Sequence, residues 1–263
     1  MPNKHGDFIW YELMTPDRQG AEAFYGSVVG WRFSGADDYR HIEASEGMVG
    51  GILQLLPEMI AGGAHPAWLG YVLVDDVDVT VEAIIADGGQ VHMPARDLED
   101  VGRFAMVADP QGVAFYLMKP KPPVGQEAVE NHAFSYDRPR IGHCAWNELS
   151  TTDTEAAKAF YGKHFGWKVD GGMDMGELGK YEFWGPTDGR GMLGAVMPKM
   201  PEMPVSAWSY YFRVPDIDAA VAIIKEKGGS IIQEPIEIPG GDFSMVGIDP
   251  QGAAFALVGA RTQ

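Results

Sequence analysis

The chain has 263 residues, a formal net charge of −17 at pH 7 and a single cysteine, Cys144. Nucleic acids and anionic membrane surfaces are bound through basic protein surfaces, so neither is expected as a partner. One cysteine cannot form an intrachain disulfide and is typical of a reducing compartment. The N-terminus lacks an apolar signal core and no apolar run is long enough to span a bilayer, which predicts a cytoplasmic protein.

One signature occurs twice at identical spacing. It runs from Trp10 to Trp31, opening with WYELMTPD, and returns from Trp146 to Trp167, opening with WNELSTTD. An internal repeat of this length predicts a repeated architecture. The sequence therefore favours two domains, each large enough to bury a core.

Each copy of the signature predicts a strand followed by a helix. Residues 8–14 alternate between the two faces of a strand. Asp17 and Asp153 stand where a helix N-cap is expected, and Gly30 and Gly166 stand where a left-handed residue ends a helix. The apolar stripe of the first helix consists of Ala21, Phe24, Tyr25 and Val28.

The remaining elements follow the same order in both halves. In the first half we predict strands at 39–44, 48–55, 68–74, 90–93, 103–108 and 113–118, a loop from Pro57 to Pro66, and a helix capped by Asp76 and stopped at Gly88-Gly89. In the second half we predict strands at 181–184, 192–196, 208–214 and 253–258, and a helix at 217–224 capped by Asp216. A turn signal, Asp-Pro-Gln-Gly, occupies 109–112 and 249–252.

These elements predict four βαβββ modules in two domains, residues 6–119 and 141–260. The segment 120–140 is rich in proline and charge and reads as a linker. Residues 1–6 are expected to be a loose end. Both a monomer and a homodimer are compatible with this organisation.

The motifs resemble those of the vicinal oxygen chelate superfamily, which includes glyoxalase I, bleomycin-resistance proteins and extradiol dioxygenases. The resemblance is carried by the Trp-x-Glu-Leu opening, the Ala-x-x-Phe-Tyr-Gly helix, Val-Asp-Asp-Val-Asp at 74–78 and the two Asp-Pro-Gln-Gly turns. The resemblance covers nearly the whole chain, and the motif pattern is similar to that of the tandem-domain bacterial branch of the superfamily. It implies an α+β fold in which each domain is a curled mixed sheet with helices on its outer face.

The resemblance also implies where metal ligands would stand in a metal-dependent member. One such position opens the first strand, another lies near the start of the strand-helix unit that follows, and a third lies in the last strand. These positions hold Trp10, Leu69 and Tyr116 in the first half, and Trp146, Ser209 and Ala256 in the second. An indole cannot ligate a divalent metal. No metal and no other cofactor is therefore expected. The alternative that remains is chelation by His41 and Glu43, which alternate onto one face of a strand.

Helices on one sheet face would bury one set of strand residues and leave the alternate set on the other side, here called the open face. The predicted core set is Leu13, Val72, Val74, Phe115 and Leu117. The open faces then form two aromatic-lined cups whose composition is typical of small-molecule sites. The candidate ligand-binding residues are Trp10, Tyr71, Tyr116, Trp146, Ser209, Tyr211 and Arg213.

Glu12 and Glu148 are the candidate catalytic residues. A carboxylate between aromatic walls is partly desolvated, which raises its pKa toward the range of a general base. The alternatives are an orienting role, in which the carboxylate is bonded to a backbone amide or a tyrosine, or an ion pair with Arg213. Arg213 either pairs with Glu148 or anchors an anionic substrate.

Three functions remain open at this point. The first is a metal-independent protein that binds a small carbonyl or aromatic metabolite. The second is a glyoxalase-like lyase or isomerase that uses Glu12 or Glu148 as general base. The third is a metal-dependent glyoxalase or dioxygenase, which would need the Lewis acid that the ligand positions do not support.

Overall fold

The computed structural model describes residues 2–122, 124–125, 128 and 130–262. Residues 123, 126, 127 and 129 of the predicted linker lie outside the described residues. The first half contains β1 (Phe8–Thr15), α1 (Arg18–Val28), β2 (Arg32–Gly35), β3 (Tyr39–Ala44), β4 (Gly47–Gln54), α2 (Pro57–Ala61), β5 (Ala67–Leu73), α3 (Val77–Ala86), β6 (Gln90–Leu98), β7 (Gly102–Ala108) and β8 (Ala114–Pro120).

The second half contains β9 (Cys144–Thr151), α4 (Thr154–Phe165), β10 (Trp167–Asp174), β11 (Lys180–Pro186), β12 (Gly194–Pro198), β13 (Ala207–Val214), α5 (Ile217–Glu226), β14 (Ser230–Glu237), β15 (Phe243–Ile248) and β16 (Ala254–Gly259). A short 3-10 turn, Gly176–Leu178, precedes β11. Within the described part of the chain, no helix is both long and apolar enough to cross a bilayer.

Two mixed eight-stranded sheets organise these elements. Their strand orders are β2-β3-β4-β1-β5-β8-β7-β6 and β10-β11-β12-β9-β13-β16-β15-β14. β1 runs parallel to β4 and β5 parallel to β8, whereas the strands within each hairpin are antiparallel. The predicted α+β fold of tandem βαβββ modules is confirmed.

The local signals at the helix ends act as expected. The side chains of Asp17, Asp76, Asp153 and Asp216 each accept a hydrogen bond from a backbone N–H in the first turn of their helix. Gly166 caps α4 in the left-handed conformation, with φ of 69°. The predicted core set is also confirmed, because all five of its side chains are at most 1% exposed.

Several features differ from the expectations. β2, β10, β14 and β15 lie outside the strands predicted from the sequence. β10 contains Gly171-Gly172 and is exposed beyond its first residue, so no apolar alternation marks it. Residues 57–61 form a short helix, with Pro57 in its first turn, inside the predicted loop.

The expectation that residues 1–6 form a loose end is wrong for the described part of this segment, and Met1 lies outside the described residues. The N–H of Gly6 donates to the carbonyl of Leu73 at 2.8 Å, and its carbonyl accepts from the indole of Trp167 at 2.9 Å. Gly6 has φ of 87°, and a Cβ there would lie 2.4 Å from the carbonyl oxygen of Phe165. These hydrogen bonds anchor the N-terminal segment at Gly6, and glycine is needed there because a side chain would clash with the carbonyl of Phe165.

The chain divides into two compact units that each combine segments of both halves. The first unit comprises Met1–Ile9, Gly70–Asn131 and Trp146–Trp208. The second unit comprises Trp10–Leu69, His132–Ala145 and Ser209–Gln263. Each unit thus contains one module from each half of the repeat, and the helices of those modules pack together, α3 with α4 in the first unit and α1 with α5 in the second.

A buried tryptophan-tyrosine-aspartate cluster joins the two modules of each unit. In the second unit Trp68 donates to the Tyr25 hydroxyl at 3.0 Å, and that hydroxyl donates to Asp249 at 3.0 Å. In the first unit the corresponding distances are 3.3 Å from Trp208 to Tyr161 and 3.1 Å from Tyr161 to Asp109. Burial raises the pKa of both aspartates, and backbone N–H groups of the Asp-Pro-Gln-Gly turns oppose that rise.

Candidate functional site

In the first unit, three side chains of β9 and β11 form a hydrogen-bonded chain on the open face. The indole of Trp146 donates to the Tyr181 hydroxyl at 2.7 Å, and that hydroxyl lies 2.7 Å from Oε2 of Glu148. An indole N–H is only a donor, so the tyrosine oxygen accepts from it and its own proton goes to the carboxylate. Burial, followed by the Glu148 charge, raises the pKa of Tyr181 well above its ordinary value, which keeps the phenol protonated.

Strand alternation places this chain opposite the helices. Asn147 and Leu149, the neighbours of Glu148 along β9, are fully buried, whereas Trp146 and Glu148 are half-buried. Phe183 extends the aromatic surface, with its ring 5.9 Å from that of Trp146, edge to face. The arrangement therefore presents aromatic rings beside a carboxylate that a phenol orients.

In the second unit, β1 and β3 carry the counterpart. The indole of Trp10 donates to the Tyr39 hydroxyl at 2.8 Å, and the His41 ring lies edge-on to Trp10 at 6.0 Å. Glu12 is 3% exposed and lies opposite Gly51 in the ladder between β1 and β4. A Cβ on Gly51 would stand 2.2 Å from the Tyr39 oxygen, so glycine makes room for this phenol.

The predicted ligand-binding residues Tyr71 and Tyr116 lie in the first unit, opposite each other in the ladder between β5 and β8. Their rings are stacked, with centroids 4.2 Å apart and an interplanar angle of 14°. Both are buried. The stack fills this part of the open face with aromatic surface.

The predicted residues Ser209, Tyr211 and Arg213 lie along β13 in the second unit. Nη2 of Arg213 donates to Asp242 at 2.7 Å. The sequence had offered Glu148 as the partner of Arg213. The hydrogen-bond partner of Arg213 in its own unit is Asp242, while Glu148 accepts from Tyr181.

Sequence reasoning missed Tyr39 and Tyr181 as members of the site. Both stand at the start of a strand, each two residues before another ring, His41 or Phe183. A tyrosine two residues before another ring thus occurs in both copies, and a comparison of the two repeats could have found it. Their role becomes visible only when the strands bring each phenol to the indole of the first strand.

The residues at the implied ligand positions do not fit a metal. The indoles of Trp10 and Trp146 direct their N–H groups at phenol oxygens, while Leu69 and Ala256 offer only aliphatic carbon. Tyr116 and Ser209 alone could supply an oxygen. Over residues 2–122, 124–125, 128 and 130–262, no group of three or more His, Cys, Asp or Glu side chains could hold a metal ion.

The alternative chelate of His41 and Glu43 meets a different obstacle. A β-bulge shifts the register between Ile42 and Glu43, so the two side chains no longer alternate regularly. Glu43 accepts from the Ser34 hydroxyl at 2.7 Å, whereas His41 packs on aromatic rings. Different partners thus engage the two side chains.

Comparison with known proteins agrees with this architecture. The family model described as "Glyoxalase/Bleomycin resistance protein/Dioxygenase superfamily" matches residues 8–117 and 140–257. The chain is 32% identical over 261 residues to the protein named "Putative glyoxylase CFP32" of Mycobacterium tuberculosis (strain CDC 1551 / Oshkosh), covering 97% of this chain and 95% of that one. It is 28% identical over 273 residues to the anthracycline biosynthesis protein DnrV of Streptomyces peucetius, covering 96% and 92%.

Among solved structures, the Mn(II)-bound glyoxalase from Novosphingobium aromaticivorans aligns with a TM-score of 0.65. The identity is 15%, and the alignment covers 98% of this chain and 83% of that one. At this identity the likeness concerns the fold alone. The family model matches two segments of the chain, and the relatives align over nearly its full length. The chain therefore belongs to the glyoxalase/bleomycin resistance protein/dioxygenase superfamily.

Proposed function

We propose that this chain binds a small carbonyl or aromatic compound on the open faces that carry Trp10 and Trp146, without a metal at these positions. The observation that carries the proposal is the bond from each indole N–H to a phenol, at the place where metal-dependent relatives are expected to present a ligand. Aromatic surface with a few oriented polar groups is the usual composition of a small-molecule site. The relatives named as a glyoxylase and as an anthracycline biosynthesis protein support a small carbonyl or aromatic compound as ligand.

The test uses acetophenone and phenol as probes, titrated by ligand-observed NMR into full-length protein purified without a metal column and treated with a chelator. Both probes should bind, and Trp146→Leu should weaken binding by roughly tenfold, because an aromatic ring contributes about 1.5 kcal/mol beyond an aliphatic one. Trp10→Leu is the matched variant of the other copy and reports how much that face contributes. Binding that disappears after chelation and returns with one equivalent of Zn, Ni or Fe would overturn the proposal.

A second candidate is a lyase or isomerase of the glyoxalase type, in which Glu148 or Glu12 takes a proton from carbon next to a carbonyl. The observation that favours it is the bond between Tyr181 and Glu148, which orients the carboxylate and keeps a protonated phenol beside it. In this step the carboxylate accepts the proton as the C–H bond breaks, and the electron pair of that bond moves into an enolate with its charge on the carbonyl oxygen. The protonated carboxyl then returns a proton to carbon and the ketone is restored.

Deuterium exchange into the methyl group of acetophenone, followed by NMR in heavy water, tests this step. Glu148→Gln should abolish exchange above the buffer rate while leaving acetophenone affinity within a factor of about two, since glutamine keeps the shape but cannot act as a base. Equal exchange in wild type, in both single glutamine variants and in the double variant would rule the step out.

A further inference from the structure

Arg213 lies on β13 in the second unit, and the corresponding position in the first half of the chain has no arginine. Its neighbours along β13, Phe212 and Val214, are 1% exposed, and Phe212 packs against the rings of Trp31 and Trp68. Strand alternation therefore puts Arg213 on the open face. Its side chain is only 16% exposed, so the charge is largely removed from water.

The guanidinium is incompletely satisfied by the protein. A guanidinium has five N–H donors, and one of them, on Nη2, reaches Asp242 at 2.7 Å. Nε is buried and has no hydrogen-bond acceptor among the described residues. A buried donor without an acceptor is unfavourable, and an acceptor supplied by a ligand would remove that penalty.

Comparison of the repeats shows that the fold does not require this ion pair. The residues at the corresponding positions of the first half are Leu73 for Arg213 and Gly102 for Asp242. Leu73 lies opposite Met118 in the ladder just as Arg213 lies opposite Val258. The same strand pairing thus forms without either charge, which separates Arg213 from the common framework.

The surroundings of Arg213 offer further donors. Val258 lies opposite Arg213 on one side and opposite Ser244 on the other, so Ser244 shares this face. Tyr211 precedes Arg213 by two residues on the same face. A guanidinium on a face that also carries two hydroxyl side chains matches a planar oxyanion, since a carboxylate accepts hydrogen bonds and neutralises the charge.

We propose that Arg213 forms an anion subsite on the open face of β13, β16 and β15, which takes a carboxylate-bearing small molecule through guanidinium donors that Asp242 does not engage. The inference rests on the proposed function, since it names the chemical class of a ligand for these faces. Asp242 is then a competitor that holds the guanidinium when no ligand is bound. The neighbouring Tyr211 favours a carboxylate attached to a ring.

The test titrates full-length protein with benzoate and with benzamide, its uncharged analogue of the same shape. Benzoate should bind more tightly than benzamide. Arg213→Leu, which copies the repeat residue, should weaken benzoate at least ~10-fold, the loss expected for a charge-assisted hydrogen bond, and should weaken benzamide clearly less, because its carbonyl can accept a hydrogen bond but carries no charge. Arg103→Leu is the matched control, because Arg103 also pairs with aspartates, Asp78 and Asp97, in the other unit. It should leave benzoate binding unchanged.

Asp242→Asn separates a binding role from a structural one. If Asp242 competes with the ligand, its neutralisation should tighten benzoate by about threefold or more, because a like charge has been removed. Benzoate affinity that is the same in wild type, Arg213→Leu and Asp242→Asn overturns the inference, and so does a wild type that does not bind benzoate. Retained binding of acetophenone and phenol in either case leaves the proposed function intact, whereas loss of those probes would count against the proposed function itself.

Discussion

Replacing Tyr25 by phenylalanine removes one buried oxygen atom and leaves the ring in place. That oxygen accepts from the Trp68 indole and donates to Asp249, both at 3.0 Å. The ring contacts of Tyr25 with Trp31, Trp68 and Phe255 are retained in the variant. The change therefore isolates the two hydrogen bonds from the packing around them.

The cost follows from the partners that are left behind. Trp68 keeps a buried N–H without its acceptor, and Asp249 loses the donor to Oδ2 while Oδ1 keeps the backbone N–H groups of Gln251 and Ala253. At about 1–2 kcal/mol for each of the two buried groups left unsatisfied, we expect a loss of roughly 2–4 kcal/mol in the free energy of unfolding. Conversion at about 2–4 °C per kcal/mol predicts a fall in Tm of roughly 5–15 °C.

Urea denaturation followed by circular dichroism measures this loss, and the slope of free energy against urea should not change. Tyr161→Phe is the matched variant, since Tyr161 makes the same two bonds with Trp208 and Asp109 in the first unit. The two losses should add, because the clusters share no residue. A Tyr25→Phe protein within about 0.5 kcal/mol of wild type would refute the reasoning, since the buried partners would then have found substitutes.

Burial raises the pKa of Asp249 above 3.8, so the folded state takes up a proton at a higher pH than the unfolded state and gains stability as pH falls through that window. Asp249→Asn does not titrate, and its cost in unfolding free energy should be larger at about pH 4 than at about pH 7; an equal cost at both would contradict the shift. Burial lowers the pKa of His164 below 6.5 despite the nearby Asp87, so its contribution is present above that value and is lost as pH falls. The cost of His164→Gln should therefore be smaller at about pH 5 than at about pH 8, measured by urea unfolding. Residues 2–122 expressed alone should unfold at lower urea than the full chain, because each unit needs a module from the other half; a transition at the same midpoint would show that this half is independent.

The sequence predicted what depends on local chemistry. Each of the four aspartates that stand before an apolar helix became an N-cap, and all five residues of the predicted core set are buried. The repeat predicted four modules because both copies carry the same turns at the same spacing. These features need no knowledge of distant residues.

The contacts that remained hidden join residues far apart in the chain. Tyr25 reads as part of a helical apolar stripe, and nothing near it announces an aspartate 224 positions away. Tyr39 was hidden for a similar reason, because its partner Trp10 lies on another strand. Gly6 looked like part of a loose end because its contact with Phe165 is also long-range. Pairing of strands and helices from different parts of the chain decides these contacts, and periodicity carries no information about it.

The composition of the two units has a consequence for synthesis on the ribosome. The second unit includes β13 to β16, so it cannot close until β16 has been made, and the first unit waits for residues up to Trp208. Loop closure over such separations is slow, and apolar surface on α1 and α3 stays uncovered meanwhile. The nascent chain thus passes through a long interval in which chaperones have a binding surface and premature release favours aggregation.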